Sequence, residues 1–258
     1  MSDPKTAALE ALIEAHATEL KLPTVKRRFR QLAAEALREQ QTPVAYLAAL
    51  LEAEPQERAE RRERRRLLDA RFPLIKRLED FRYQDNPKVQ PATIAALAEG
   101  SWIDDRESVI LIGESGTGKT MLATGLAVCA CQQGRRVRFT TLAALANELQ
   151  EAESRRELGR VVGRYARTEL VCLDELGYLN LPEGAAELVF QVISERNERG
   201  SLIVTTNLPF GDWTKVFPDP RLAKAVVDRI THKAHIIDTG TESWRFRHGL
   251  ERQGRKRT

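Results

Sequence analysis

The octapeptide Gly113-Glu114-Ser115-Gly116-Thr117-Gly118-Lys119-Thr120 constrains this chain more than any other feature. It follows the apolar run Val109 to Ile112 and opens the apolar stretch Thr120 to Cys131, so it reads as strand, loop and helix. In that setting the glycines let successive backbone N–H groups turn inward around a β-phosphate, and the helix N-terminus adds its positive dipole. Lys119 is placed to reach the β- and γ-phosphates, and Thr120 to offer its hydroxyl to Mg²⁺. The nucleotide-contacting run is therefore Gly113 through Met121, with ATP or GTP as the ligand class.

From Ser108 onward, short apolar runs alternate with helical patterns. Val109–Ile112, Val137–Thr140, Leu170–Leu173, Leu202–Thr205 and His235–Ile237 read as buried strands; Thr120–Cys131, Leu142–Leu149 and Glu183–Arg199 read as helices between them. The alternation predicts a five-stranded, mostly parallel sheet flanked by helices. Leu170–Leu173 runs into Asp174 and Glu175, and buried carboxylates are costly unless they serve a partner. Asp174 suits the Mg²⁺ shell, and Glu175 suits a general base that polarises an attacking water. Asn207 ends the Leu202 run. If an extra strand lies between the phosphate-loop strand and the one carrying Asp174, Asn207 sits by the γ-phosphate and orients the water; the alternative is a turn residue before Pro209. Arg229 falls near the end of the helix Ala223 to Ile230, where it either contacts a neighbouring subunit's γ-phosphate, pairs with Asp228, or caps the helix carbonyls.

The first 70 residues look all-helical, with apolar positions Leu9, Leu12, Ile13, His16 and Leu20 at one spacing and Phe29, Leu32, Ala33, Ala36 and Leu37 at another. His16 reads as a core-edge histidine, having no second ligand candidate nearby. Thr42-Pro43 reads as an N-cap with proline at the first helical position. Pro73, Pro91 and the polar stretch between them point to a connector at about residues 71–100.

Charge is distributed unevenly. The chain has 41 Lys and Arg against 37 Asp and Glu, a net of +4, yet residues 245–258 hold six cations and one acid. Lys21 to Arg30 includes Lys26, Arg27, Arg28 and Arg30 without an acid among them, and these are the candidate DNA contacts. The arginines of Gln56 to Arg66 alternate with Glu57, Glu60 and Glu63 and read instead as a self-paired helix face. The longest stretch free of charged residues is the fifteen residues Thr120–Gly134, short of the ~18 a spanning helix needs. The first twenty residues carry Asp3, Glu10, Glu14 and Glu19 and no apolar run, so no secretory signal is expected and the protein reads as cytoplasmic. Cys129, Cys131 and Cys172 form neither a disulfide framework nor a CxxC pair and read as buried thiols.

With these residues in place, the chain resembles the ATP-binding helper proteins of insertion sequences, the IstB family, relatives of the helicase loader DnaC within the AAA+ ATPases. The resemblance runs through Leu22-Pro-Thr, Arg71-Phe-Pro, Leu78-Glu-Asp-Phe81, Gly113 to Thr120, Asp174-Glu-Leu-Gly-Tyr178, Thr206-Asn-Leu-Pro-Phe210, Trp213 and Asp228-Arg-Ile230. It implies a small all-helical N-terminal DNA- or partner-binding domain at 1–70, an AAA+ P-loop ATPase domain at 71–248 and a basic tail at 249–258. It also implies Asn207 as sensor 1 and Arg229 as the arginine finger. The family pattern ends its core in Ser-Tyr-Arg; Ser243-Trp244-Arg245 stands here, with Arg245 in a sensor-2-like place. The implied activity is ATP hydrolysis with Mg²⁺ by a homo-oligomer on duplex DNA, which deforms the DNA and recruits or stimulates the transposase of the same element. Loosely distributed cations without base-reading motifs fit affinity through phosphates. A DnaC-like helicase loader is the runner-up. A P-loop small-molecule kinase is disfavoured by Glu175 and by the lack of an arginine-rich lid, because Arg155, Arg156, Arg160 and Arg164 alternate with Glu151, Glu153 and Glu157. A scaffold that binds ATP without turning it over is the remaining alternative.

Overall fold

The computed structural model describes residues 4–242, so Ser243-Trp244-Arg245 and the basic tail lie outside the described residues. Two compact units divide between Arg65 and Arg66.

In the first unit, α1 spans Pro4–Glu19, α2 Pro23–Arg38, and α3 Pro43–Ala70, the last running on into the second unit. Thr42 caps α3 as read, its hydroxyl accepting the Ala45 N–H at 3.2 Å. Helix α2 begins with proline but has no capping side chain of its own. Its orphan donors are met from elsewhere: the buried Glu54 carboxylate of α3 accepts the N–H groups of Thr24 at 2.7 Å and Val25 at 3.1 Å, and Arg58 Nε at 2.7 Å. A carboxylate at a helix N-terminus gains from both the bonds and the dipole. Burial pushes the Glu54 pKa up, but Arg58 and the two backbone donors outweigh it and hold the carboxyl below its ordinary value.

Two readings of this unit need correction. The cations of α2 are not free of acids. Arg27 and Arg28 pair with Glu57, the latter at 3.7 Å, Arg30 pairs with Glu10 at 2.7 Å and Glu14 at 2.6 Å, and Lys26 donates to Thr18 Oγ1 at 2.9 Å. The neutralising acids come from α1 and α3, sixteen to thirty positions away, where local charge counting does not look. The apolar stripe of α1 is also not a core stripe. Leu9, Leu12 and Leu20 are more than half exposed, His16 lies on the surface 3.6 Å from Glu19, and the unit's core is built from Ala17, Val25, Phe29 and Leu50.

The second unit adds α4 (Pro91–Ala98), α5 (Ser101–Asp104), β1 (Ser108–Ile112), α6 (Lys119–Gln132), β2 (Val137–Thr141), α7 (Leu142–Ser154), α8 (Leu158–Ala166), β3 (Leu170–Leu176), α9 (Glu183–Arg196), β4 (Ser201–Thr206), α10 (Pro220–Thr231) and β5 (Ala234–Asp238). All pairings are parallel, in the order β2-β3-β4-β1-β5. The pleat sends alternate strand residues to two cores. Val109, Leu111, Leu170, Cys172 and Ile203 pack with α4, α5 and α6, whereas Ile110, Val171, Leu173, Leu202 and Val204 pack with α7, α8, α9 and α10. Strand β5, which its apolar run predicts to be buried, is an edge strand with Ile236 half exposed. Helix α9 stops at Arg196, short of the Arg199 that the sequence predicts, because Asn197 leaves the helix at ψ 128° and Glu198 follows left-handed at φ 61°. Arg196 is itself 1% exposed and donates to the carbonyls of Tyr165, Thr168, Glu169 and Ser201, lacing the end of α8 to the start of β4. Burial brings its pKa down to about 10, so it remains a cation at neutral pH. The three cysteines are free, two of them buried, and burial together with Asp174 pushes the Cys172 thiol well up. Among the described residues no helix is long and apolar enough to cross a membrane.

Glu54→Gln is expected to lower unfolding stability by about 1–3 kcal/mol. The sign of its pH dependence follows from the lowered pKa. The stabilisation is complete above the unfolded carboxyl pKa of ~4.3 and is lost as pH falls through the folded value. Thermal melts of parent and variant followed by helical circular dichroism should therefore converge as the pH drops below about 4.

Candidate nucleotide site

Parallel strands deliver all their carboxyl ends to one edge of the sheet. With β4 inserted between β1 and β3, three adjacent strands end in the phosphate loop, in Asn207 and in Asp174-Glu175. This meets the condition set on Asn207 from sequence.

The loop leaves β1 through Gly113 at φ 153°, where a Cβ would lie 2.4 Å from Thr239 Oγ1 and 2.7 Å from the Gly240 carbonyl. Gly116 and Gly118 are left-handed. The end of β5 holds the loop from behind. The Thr239 hydroxyl lies 2.7 Å from that of Thr117, the Glu114 N–H donates to Gly240 O at 2.9 Å, and the Asn86 amide donates to Thr117 O at 3.1 Å and Thr239 O at 2.8 Å. From the connector, Phe81 covers Gly118, where a Cβ would meet its ring at 2.6 Å, and Leu78 covers Gly125 at 2.5 Å. Beside the loop opens a cavity of about 510 Å³ lined by Lys76, Asp80, Arg82, Asn86, Thr120 and Met121, within the size range of small-ligand sites. Glu114 and Ser115 form the outer arm of the loop, and Lys119 is buried, its ammonium donating to Gly113 O and Glu114 O at 2.7 Å each.

The two carboxylates are held differently. Asp174 is buried and accepts the Thr120 hydroxyl at 3.1 Å on either oxygen, and the Thr205 hydroxyl as well. Glu175 is exposed and left-handed at φ 62°, at a register shift between Leu173 and Leu176 that breaks the regular pleat. Its N–H donates to Thr205 Oγ1 at 3.0 Å, so one hydroxyl fixes both acids. A hydroxyl and a carboxylate beside a phosphate loop are the oxygen donors Mg²⁺ takes, with the rest of its octahedron left to phosphate and water. Among the described residues no group of three or more His, Cys, Asp or Glu forms a metal cage of another kind.

Asn207 stands across from these groups with its Oδ1 buried and unpaired. A Cβ on Gly177, φ 131°, would come within 2.3 Å of that oxygen.

Arg229 is elsewhere. It donates to Ala225 O at 3.3 Å and lies 4.6 Å over the Phe190 ring, next to Ser108 and Gly200 at the amino ends of β1 and β4. Within one copy, then, it sits against its own helix's carbonyls and does not meet the phosphate loop. Arg245 lies outside the described residues. Thr205, Asn86 and Thr239 escaped the sequence reading: a threonine ending a strand reads as β-propensity, and Asn86 and Thr239 act on a loop remote in sequence.

The sequence matches the family described as IstB-like ATP binding protein over residues 15–252. It is 37% identical over 94% of its length to a protein of Sinorhizobium fredii named as an insertion-sequence ATP-binding protein, 82% of which is covered. It is 32% identical over 91% of its length to the IS21 insertion-sequence protein of that name from Pseudomonas aeruginosa, 89% of which is covered. Among solved structures it resembles AMPPCP-bound DnaA of Aquifex aeolicus, with TM-score 0.54 and 17% identity over 65% of this chain and 50% of that one. It also resembles the DnaC helicase loader, with TM-score 0.50 and 19% identity over 57% of this chain and 86% of that one. These two likenesses identify the AAA+ fold.

Thr205→Val keeps the volume but strands the Glu175 N–H and loosens Asp174. Gly177→Ala drives a methyl into Asn207. Each is expected to lower ATP turnover about tenfold or more while ATP affinity changes little. Turnover and nucleotide titration on the same preparations check this.

Proposed function

Because the chain belongs to the IstB-like ATP-binding protein family, we propose that it is a cytoplasmic, DNA-stimulated ATPase. In its ATP state it assembles on duplex DNA, deforms it, and recruits or stimulates the transposase of the same insertion sequence. The observation that carries the hydrolytic reading is the convergence of three strand ends: the Thr120 hydroxyl on Asp174, Glu175 turned out of the pleat beside it, and the orphan Asn207 oxygen opposite.

In the proposed reaction the loop glycines and Lys119 bind the phosphates, the lysine leaving the Gly113 and Glu114 carbonyls to do so. Thr120 and Asp174 would hold Mg²⁺, and the ion when bound would supply neutralisation of the phosphate charge. Asn207 orients a water, and Glu175 accepts its proton as the oxygen attacks the γ-phosphorus. The bond to the β-phosphate oxygen breaks, releasing ADP and phosphate. A general base is what a molecule that resets itself by hydrolysis requires, and an acceptor-dependent kinase has less need of it. Arg229 acts from a neighbouring copy, because its place at the far end of β1 leaves it no route to its own loop.

The DNA contact is assigned to the first unit. Lys26, Arg27, Arg28 and Arg30 remain the proposed contacts, but phosphates must compete for three of them with Glu57, Glu10 and Glu14. Arg62 and Arg64, exposed on α3 and in no ion pair among the described residues, join them. The exposed leucines of α1 suit a protein partner such as the transposase better than DNA.

Lys119→Ala is expected to abolish nucleotide binding. Glu175→Gln should retain ATP, lose turnover about a hundredfold or more, and accumulate the assembled form. Both are read by steady-state hydrolysis without DNA, with duplex and with single strands, recording oligomer size in the same samples. Stimulation and assembly on duplex support the transposition helper. Preference for single strands would favour a helicase loader, and indifference to DNA would refute the DNA-stimulated reading.

A further inference from the structure

At the edge of the sheet opposite the nucleotide loop lies a second cavity of about 230 Å³. Its lining brings Arg106, Arg229, His232 and Lys233 together against Asp105 and Glu198. Arg196 lines it too, buried to 1% exposure, with its Nε unpaired. Arg106 ends the turn between α5 and β1 in a left-handed conformation at φ 58°, its N–H donating to Ile103 O at 3.2 Å. Its guanidinium is exposed and donates to a single described partner, the Glu198 carbonyl, at 2.7 Å. Neither Arg106 nor Arg229 takes part in an ion pair among the described residues, although Asp105 and Glu198 are at hand.

A wall with this excess of cations, the Arg106 and Arg229 guanidinium groups outside any described ion pair, suits an anion. The volume admits a phosphate group and not a whole nucleotide. That phosphate is not the copy's own: β1 is five residues long, about 16 Å at ~3.3 Å per residue, and separates this wall from the loop by more than an arginine side chain spans. A second copy stacked head to tail would bring the triphosphate at its own sheet edge to this wall.

We infer that Arg106 is a second arginine acting in trans beside Arg229, contacting the γ-phosphate bound by the neighbouring copy. It adds no bond-making step; two guanidinium groups, one held over Phe190 and one on the Glu198 carbonyl, share the charge spread over the γ-oxygens as the bond to the leaving oxygen breaks. The inference rests on the ATPase reading above.

The test uses the full chain and three variants. Arg106→Gln removes the charge but keeps a donor for the Glu198 carbonyl. It should melt like the parent and bind ATP with unchanged affinity, yet hydrolyse it about tenfold more slowly or worse. Mixed with Lys119→Ala subunits, which bind no ATP but carry Arg106, it should regain turnover above the sum of the two alone. Arg106→Lys, with the charge but no fork, should fall between parent and Gln and covers the case in which Arg106→Gln fails to fold. Parental turnover in Arg106→Gln, or a mixture no better than the sum, overturns this assignment while leaving the ATPase reading intact. A parent that neither assembles nor hydrolyses ATP overturns both.

Discussion

A parallel sheet presents its carboxyl ends as a row, and the chemistry available along that row depends on which strands are neighbours. Here the order places β4 between β1 and β3, so residues separated by 54 positions, Thr120 and Asp174, meet at 3.1 Å. Remove β4 from that slot and Asn207 has no place beside them. The two cores of the second unit are the physical means of keeping the order, since β1, β3 and β4 are clamped on alternate residues by helices above and below. Large apolar burial far from the reacting groups thus sets the spacing of a few polar atoms, which on their own would be unfavourable to bring together.

What was legible in the sequence follows from range. The phosphate loop is local: eight consecutive residues between a strand and a helix carry its whole signature. Asp174 and Glu175 were legible as carboxylates that an apolar run has no other reason to carry. Asn207 was legible only on a condition about strand order. Thr205 was not legible, because the fact that matters, one hydroxyl shared between the Asp174 carboxylate and the Glu175 N–H, exists only once β3 and β4 are paired. The N-terminal unit was misjudged for the same reason. Lys26 to Arg30 looks unopposed along the chain, yet Glu10, Glu14 and Glu57 reach it through space. Glu54 substitutes for a cap that no local motif supplies. Helical spacing alone also promised burial for α1 leucines that remain exposed.

The two ends of the sheet differ in kind. At the carboxyl edge, the phosphate loop and Lys119 line a cavity large enough for a nucleotide. At the amino edge, arginines gather around one large enough for a phosphate. The head-to-tail association inferred above would join these unlike edges, whereas a two-fold partner would present the same edge to itself.

The connector has a consequence for how this sequence can change. Gly118, the left-handed residue that precedes α6, and Gly125 within it are seven positions apart and mark a line along the start of that helix. Leu78 and Phe81, one turn of 3₁₀ helix apart, seat on that line as two pegs on two notches. Neither glycine can acquire a side chain without expelling its peg, and shrinking a peg leaves its notch open to solvent. These four positions should therefore drift together or not at all, so that a segment outside the phosphate loop helps to decide which residues that loop can carry.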